Sequence, residues 1–139
     1  MKRIFAFFTF SALVLAMGCA TNPLTGKSTL ALVNNSSIFP SAFQQYDTFL
    51  KENKVVTGTT EAKRVEAVGI KIKQAAEKWL AAIGHSDYLK DYQWEYKLVE
   101  DNAVNAWCMP GGKIVVYTGI LPVTKDEAGL ATVMGHEVA

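Results

Sequence analysis

The sequence predicts an α+β domain, and three observations carry that prediction. Two early segments repeat apolar residues at three- and four-residue steps, the period of a helix with one buried face. From Tyr92 the period drops to two, the mark of a half-buried strand. Pro110-Gly111-Gly112 then separates two short strand-like runs, as the turn of a hairpin would. Helices followed by strands, without strand–helix alternation, predict helices beside a small antiparallel sheet.

The elements follow in order. Phe39, Phe43, Tyr46 and Phe49 or Leu50 line one face of a first helix, with Pro40 tolerated in its first turn. Val55 to Thr60 breaks it with β-branched residues and Gly58. Thr60 is placed to cap a second helix, with Glu61 at the positive end of its dipole. Val65, Val68, Ile72, Ala75 or Ala76, Trp79 and Ile83 form its expected buried stripe, and Gly84 its stop. Lys63, Arg64, Lys71, Lys73 and Lys78 mostly lie off that stripe and alternate with glutamates, as a solvated face does. Tyr92, Trp94, Tyr96 and Leu98 point one way from a strand; Gln93, Glu95 and Lys97 point the other. Asn105 to Met109 and Lys113 to Thr118 form the hairpin. Thr124 and Glu127 read as a capping box opening a last helix, whose apolar body is Leu130, Ala131, Val133 and Met134.

The start of the chain reads as an export signal. Lys2 and Arg3 precede an apolar run from Ile4 to Met17, too short to span a bilayer comfortably. Gly18-Cys19 closes it, resembling the lipobox of bacterial lipoproteins. That resemblance implies cleavage before Cys19, a lipid on its thiol and, with Ala20 next, an outer-membrane anchor facing the periplasm. Residues 1–18 are thus the expected signal peptide and 19–35, rich in Thr, Asn, Ser and Gly, a tether. Removing the signal takes two of the 14 basic residues from a chain with 13 acidic ones, leaving it one charge negative. Such a chain offers no electrostatic case for nucleic acid. With Cys19 lipidated, Cys108 has no disulfide partner and reads as a small buried hydrophobe.

The chain finishes on Gly135-His136-Glu137-Val138-Ala139. In H-E-x-x-H, two histidines four apart on a helix grip zinc and the glutamate acts as general base. Here the first histidine and the glutamate are present. Alone, a His-Glu pair is weak evidence. The longer pattern is specific: Asn105-Ala106-Trp107-Cys108-Met109-Pro110-Gly111-Gly112-Lys113-Ile114, Tyr117-Thr118-Gly119-Ile120-Leu121, Asp126-Glu127 and then His136-Glu137. In order and spacing this resembles the HtpX-like and Oma-like zinc metallopeptidases (peptidase family M-48).

The resemblance implies that residues 36–139 are part of a gluzincin-type metallopeptidase domain. It implies a zinc cofactor, polypeptide substrates and a role against misfolded or misassembled envelope proteins. His136 would be a zinc ligand and Glu137 the catalytic general base. Asn105, Ala106, Trp107, Cys108 and Met109 would line the substrate strand, although Trp107 and Met109 suit core packing equally well and Asn105 a turn. The family's second histidine and its later glutamate ligand are not among these residues, so the 139 residues are expected to be inactive by themselves. His85 matches no ligand position and reads as a surface loop residue. The alternative is a non-catalytic lipoprotein that holds extended polypeptide on its hairpin edge.

Overall fold

The computed structural model describes residues 19–21, 28–30 and 35–138. The chain divides into two compact units, 1–34 and 35–139. In the first, β1 (Cys19–Thr21) and β2 (Ser28–Leu30) pair antiparallel, Cys19 opposite Leu30. The expected signal peptide, 1–18, lies outside the described residues.

The second unit opens with α1 (Asn35–Glu52). Phe39 and Tyr46 are buried on its inner face, as the spacing predicts; Ala42 is buried with them, and Phe43, Phe49 and Leu50 are half-buried. Because the helix starts at Asn35, Pro40 falls in its second turn rather than its first. Val55–Val56 then forms β3, a two-residue strand that the sequence reading had treated as a break. Helix α2 (Thr60–Ala82) is capped one residue earlier than expected, by Thr59, whose hydroxyl accepts from the Ala62 N–H at 3.1 Å. It ends in a Schellman arrangement: the Gly84 N–H bonds the Ala81 carbonyl and the His85 N–H bonds that of Leu80.

The stripe of α2 needs correction at its second half. Val65 and Val68 are buried, but Trp79 is 45 % and Ile83 41 % exposed. The helix buries Leu80 there instead. The final helix lies against the first half of α2, where Lys71 Nζ meets Glu127 Oε2 at 2.7 Å and Arg64 donates to the Lys125 carbonyl. Beyond that contact α2 packs on β4 and on a short 3-10 turn (Ser86–Leu89).

Strands β4 (Glu95–Val99), β5 (Ala106–Met109) and β6 (Lys113–Tyr117) join β3 in the order β3-β4-β6-β5. The sheet is mixed, not antiparallel. β5 and β6 form the expected antiparallel hairpin, but β6 runs parallel to β4. The cause is the placement of the hairpin: its second strand takes the inner position, so β5 becomes an edge and β6 repeats the direction of β4. Ile114, Val115 and Val116 are fully buried, as a strand covered on both faces requires. In the hairpin turn Gly111 and Gly112 have φ of 87° and 84°, which side chains rarely adopt. A Cβ on Gly111 would also meet the Phe43 ring.

Alternate residues build two cores. Leu98, Ile114, Val116 and Ala106 pack with Val65 and Val68 of α2 and with Leu130 and Met134. Val99 and Val115 pack with Tyr46 of α1, flanked by Trp107, Met109 and Tyr117. On that second face Lys113 is nearly buried; its Nζ lies 3.1 Å from Glu95 Oε2 and over the rings of Phe43 and Tyr46. Burial alone would raise the Glu95 pKa, but hydrogen bonds from Lys97 and Lys113 hold it below its ordinary value.

Candidate active site

The site is built on α4 (Glu127–Val138), reached from β6 through a 3-10 turn (Thr118–Ile120) and a one-turn helix, α3 (Leu121–Thr124). The expected Thr124–Glu127 capping box does not form. The Thr124 hydroxyl donates to the Leu121 carbonyl and belongs to α3. Asp126 caps α4 instead, its Oδ1 accepting from the Gly129 N–H at 2.9 Å. Between the helices Lys125 takes φ 61°, a strained value for a side chain, to turn the chain. Gly129 allows the close approach that follows, because a Cβ there would collide with the Thr124 carbonyl oxygen.

Leu130 and Met134, four residues apart, are both fully buried and fix the rotation of α4. Glu137, three residues past Met134, is consequently half-buried, while His136 lies on the exposed flank. His136 falls in the third turn of the helix. Helix α4 packs against the edge strand β5.

Along β5 the side chains alternate. Ala106 is buried and Cys108 half-buried on the α4 face. The Cys108 thiol is pushed up to about 11, first by burial and then by the Glu137 carboxylate. Trp107 and Met109 turn to the α1 face. The Trp107 ring meets Phe49 edge-on at 4.9 Å, and its N–H donates to the Tyr117 hydroxyl at 3.3 Å. Core packing is therefore what the side chains of Trp107 and Met109 do. Asn105 is exposed just before the strand and accepts from the Tyr117 N–H. Among the described residues β5 is the edge of the sheet, beside α4, with no strand on its outer side.

The loop before β5 is pinned by residues that sequence reasoning passed over. The Thr118 hydroxyl donates to the Asp101 carbonyl and accepts from the Asp101 N–H, and Asp101 Oδ1 accepts from the Ala103 N–H. The Asp101-Asn102 pair was the available signal, since such residues commonly hold turns.

Among the described residues no group of three His, Cys, Asp or Glu is placed to hold a metal ion. His136 is one imidazole donor, and catalytic zinc normally takes three protein ligands. The described residues by themselves do not fit the ion.

The peptidase family M48 model matches residues 70–139, half of the chain, including β4, the hairpin and α4. The chain belongs to peptidase family M48. By family it is a metalloendopeptidase of the OMA1-like kind, and the family implies zinc. It is 43 % identical over 67 residues to the mitochondrial metalloendopeptidase OMA1 of Arabidopsis thaliana, covering 48 % of this chain and 14 % of that protein. It is 47 % identical over 51 residues to the Schizosaccharomyces pombe protein of the same name, covering 37 % of this chain and 15 % of that one. A longer match, 25 % identical over 118 residues, joins it to the Bos taurus mitochondrial metalloendopeptidase OMA1, covering 85 % of this chain and 22 % of that one. This M48 chain thus spans less than a quarter of the length of these curated relatives.

Proposed function

We propose that this M48 chain supplies the active-site helix and the substrate-edge strand of a zinc-dependent endopeptidase of the bacterial envelope. The observation that carries the reading is the packing of α4, which bears half-buried Glu137, against the strand at the edge of the described sheet. A polypeptide held extended along β5 would present its carbonyls next to the end of α4. Glu137 is the residue that takes and holds the proton of the attacking water, and His136 contributes one imidazole donor. Zinc, when bound, supplies Lewis-acid polarisation of the scissile carbonyl. Because His136 is the lone donor at this place among the described residues, they are inert by themselves; activity requires donors from elsewhere.

The envelope location rests on Lys2, Arg3, the apolar run and Gly18-Cys19, with Cys19 as the lipidated residue and the outer membrane as the anchor. Among the described residues no helix is long and apolar enough to cross a membrane. Unfolded or misassembled envelope polypeptides fit a strand-adding edge, which reads backbone rather than side chains.

Zinc titration tests the reading. The 139-residue chain should bind zinc weakly, and His136→Ala should remove what binding there is. A protein that adds the missing donors should bind one equivalent tightly. If that protein takes up no zinc yet still retains extended peptide, the non-catalytic lipoprotein is the correct account.

A further inference from the structure

We propose that the free edge of β4 is a second seat for an extended polypeptide, on the opposite side of the sheet from β5. The strand β3 is only two residues long and pairs with Leu98 and Val99. Glu95, Tyr96 and Lys97 pair with β6 alone among the described residues. The direction of the backbone groups follows from the bonds on either side. The Glu95 N–H bonds the Gly112 carbonyl, towards β6, whereas the Glu100 N–H bonds the Lys54 carbonyl, towards β3. Alternation along the strand therefore turns the N–H and C=O of Tyr96 outward, where no strand meets them.

Beside this edge lies a cavity of about 410 Å³ between β4 and α2, walled by Glu66, Ile70, Lys73, Glu77, Trp94 and Tyr96. Two of its residues carry buried polar atoms without a partner among the described residues, the indole N–H of Trp94 and the hydroxyl of Tyr96. Buried donors are normally satisfied, so the pair calls for an acceptor. The Tyr96 hydroxyl is pushed up to about 12 by burial and then by the Glu77 carboxylate, so it remains a donor at neutral pH. Ile70, 43 % exposed, adds an apolar wall.

These features select the occupant. A strand added to Tyr96 would gain backbone hydrogen bonds. Its inward side chain would meet two donors in a groove whose α2 wall carries two carboxylates, Glu66 and Glu77, against the ammonium group of Lys73. An uncharged acceptor such as Asn, Gln, Ser or Thr fits; a carboxylate does not. The seat is independent of His136 and Glu137 and needs no metal.

The chain contains three tryptophans, Trp79, Trp94 and Trp107, so three indole N–H signals in a nitrogen-15 spectrum report on three places. The probe is a blocked seven-residue peptide of alternating threonine and valine with a central glutamine, added to the full 139-residue chain. The Trp94 indole and the Tyr96 amide should move with saturation, while Trp79 stays. Ile70→Glu, at an exposed position that leaves the fold intact, should weaken this binding about tenfold. A peptide with central glutamate, or with its central amide methylated, should weaken it similarly. Movement of Trp107 without Trp94 would place peptide on β5 alone and overturn the proposal. So would no movement of Trp94 at millimolar peptide, or equal binding of the methylated peptide.

Discussion

The two faces of the sheet are made from alternate residues of the same strands, yet they treat polar groups in opposite ways. Under α1, charge and hydroxyls are enclosed: Lys113 and Glu95 pair beneath two aromatic rings, and the Tyr46 hydroxyl is buried with no partner among the described residues. Under α2 and α4 the centre around Leu130 and Met134 is apolar, and polar groups lie at its margins: the Trp94 N–H and Tyr96 hydroxyl beside α2, and His136, Glu137 and Cys108 towards the end of α4. The closed face anchors the Gly-Gly hairpin. The other face can then leave an edge strand and a helix end open for chemistry, because the hairpin is already held from behind.

The comparison breaks most sharply at the apolar centre. Met134→Ala should cost about 2–5 kcal/mol, the range for emptying a fully buried side-chain site, and should loosen α4. Urea unfolding gives the loss, and hydrogen exchange along 130–138 shows whether it is local to the helix. On the closed face Lys113→Met should cost less, about 1–2 kcal/mol, because Glu95 is one-third exposed and keeps Lys97.

The pH dependence has a definite sign. The Glu95 carboxyl titrates below its ordinary 4.5 in the folded state. Its contribution is therefore complete above that value and lost as pH falls through the lowered one. Lys113→Met should flatten this acid limb in a series of urea melts, and an unchanged limb would remove the pair from the account.

Smaller effects sharpen the picture. Tyr46→Phe deletes a hydroxyl that burial leaves unpartnered, so stability should hold or rise by up to about 1 kcal/mol. Cys108 should be poorly reactive. With its thiol pushed up to about 11, the thiolate is scarce at neutral pH, and alkylation by iodoacetamide should be slow, quickening as pH climbs toward that value. Fast alkylation at neutral pH would mean that β5 is not packed against α4 as described.

Much of this was legible in the residues themselves. The faces of α1 and the first half of α2, the alternation of β4 and the Gly-Gly turn all follow from local periodicity, which local geometry enforces. What failed depends on partners distant in sequence. The stripe through Trp79 and Ile83 has helical period, but burial requires a neighbour that α4 provides only as far as the first half of α2. Parallel pairing of β4 with β6 depends on which hairpin strand takes the inner place, and alternation is blind to that. Val55-Val56 is too short to signal a strand before its partner Leu98-Val99 is known. At α4, Thr124 and Asp126 were both plausible caps, and the Lys125 turn decided for Asp126. His136 and Glu137 were legible as a motif; that Glu137 is the inward one of the two became clear only once Leu130 and Met134 fixed the helix rotation.

The central claim is that Glu137 serves catalysis at the end of α4 rather than holding the fold. Casein cleavage by a protein with these residues and a full set of zinc donors, compared with its Glu137→Gln form, tests it most directly. The account predicts a loss of about a thousandfold or more in kcat with an unchanged melting temperature. Cleavage retained in the Gln form, or lost together with the fold, would contradict it.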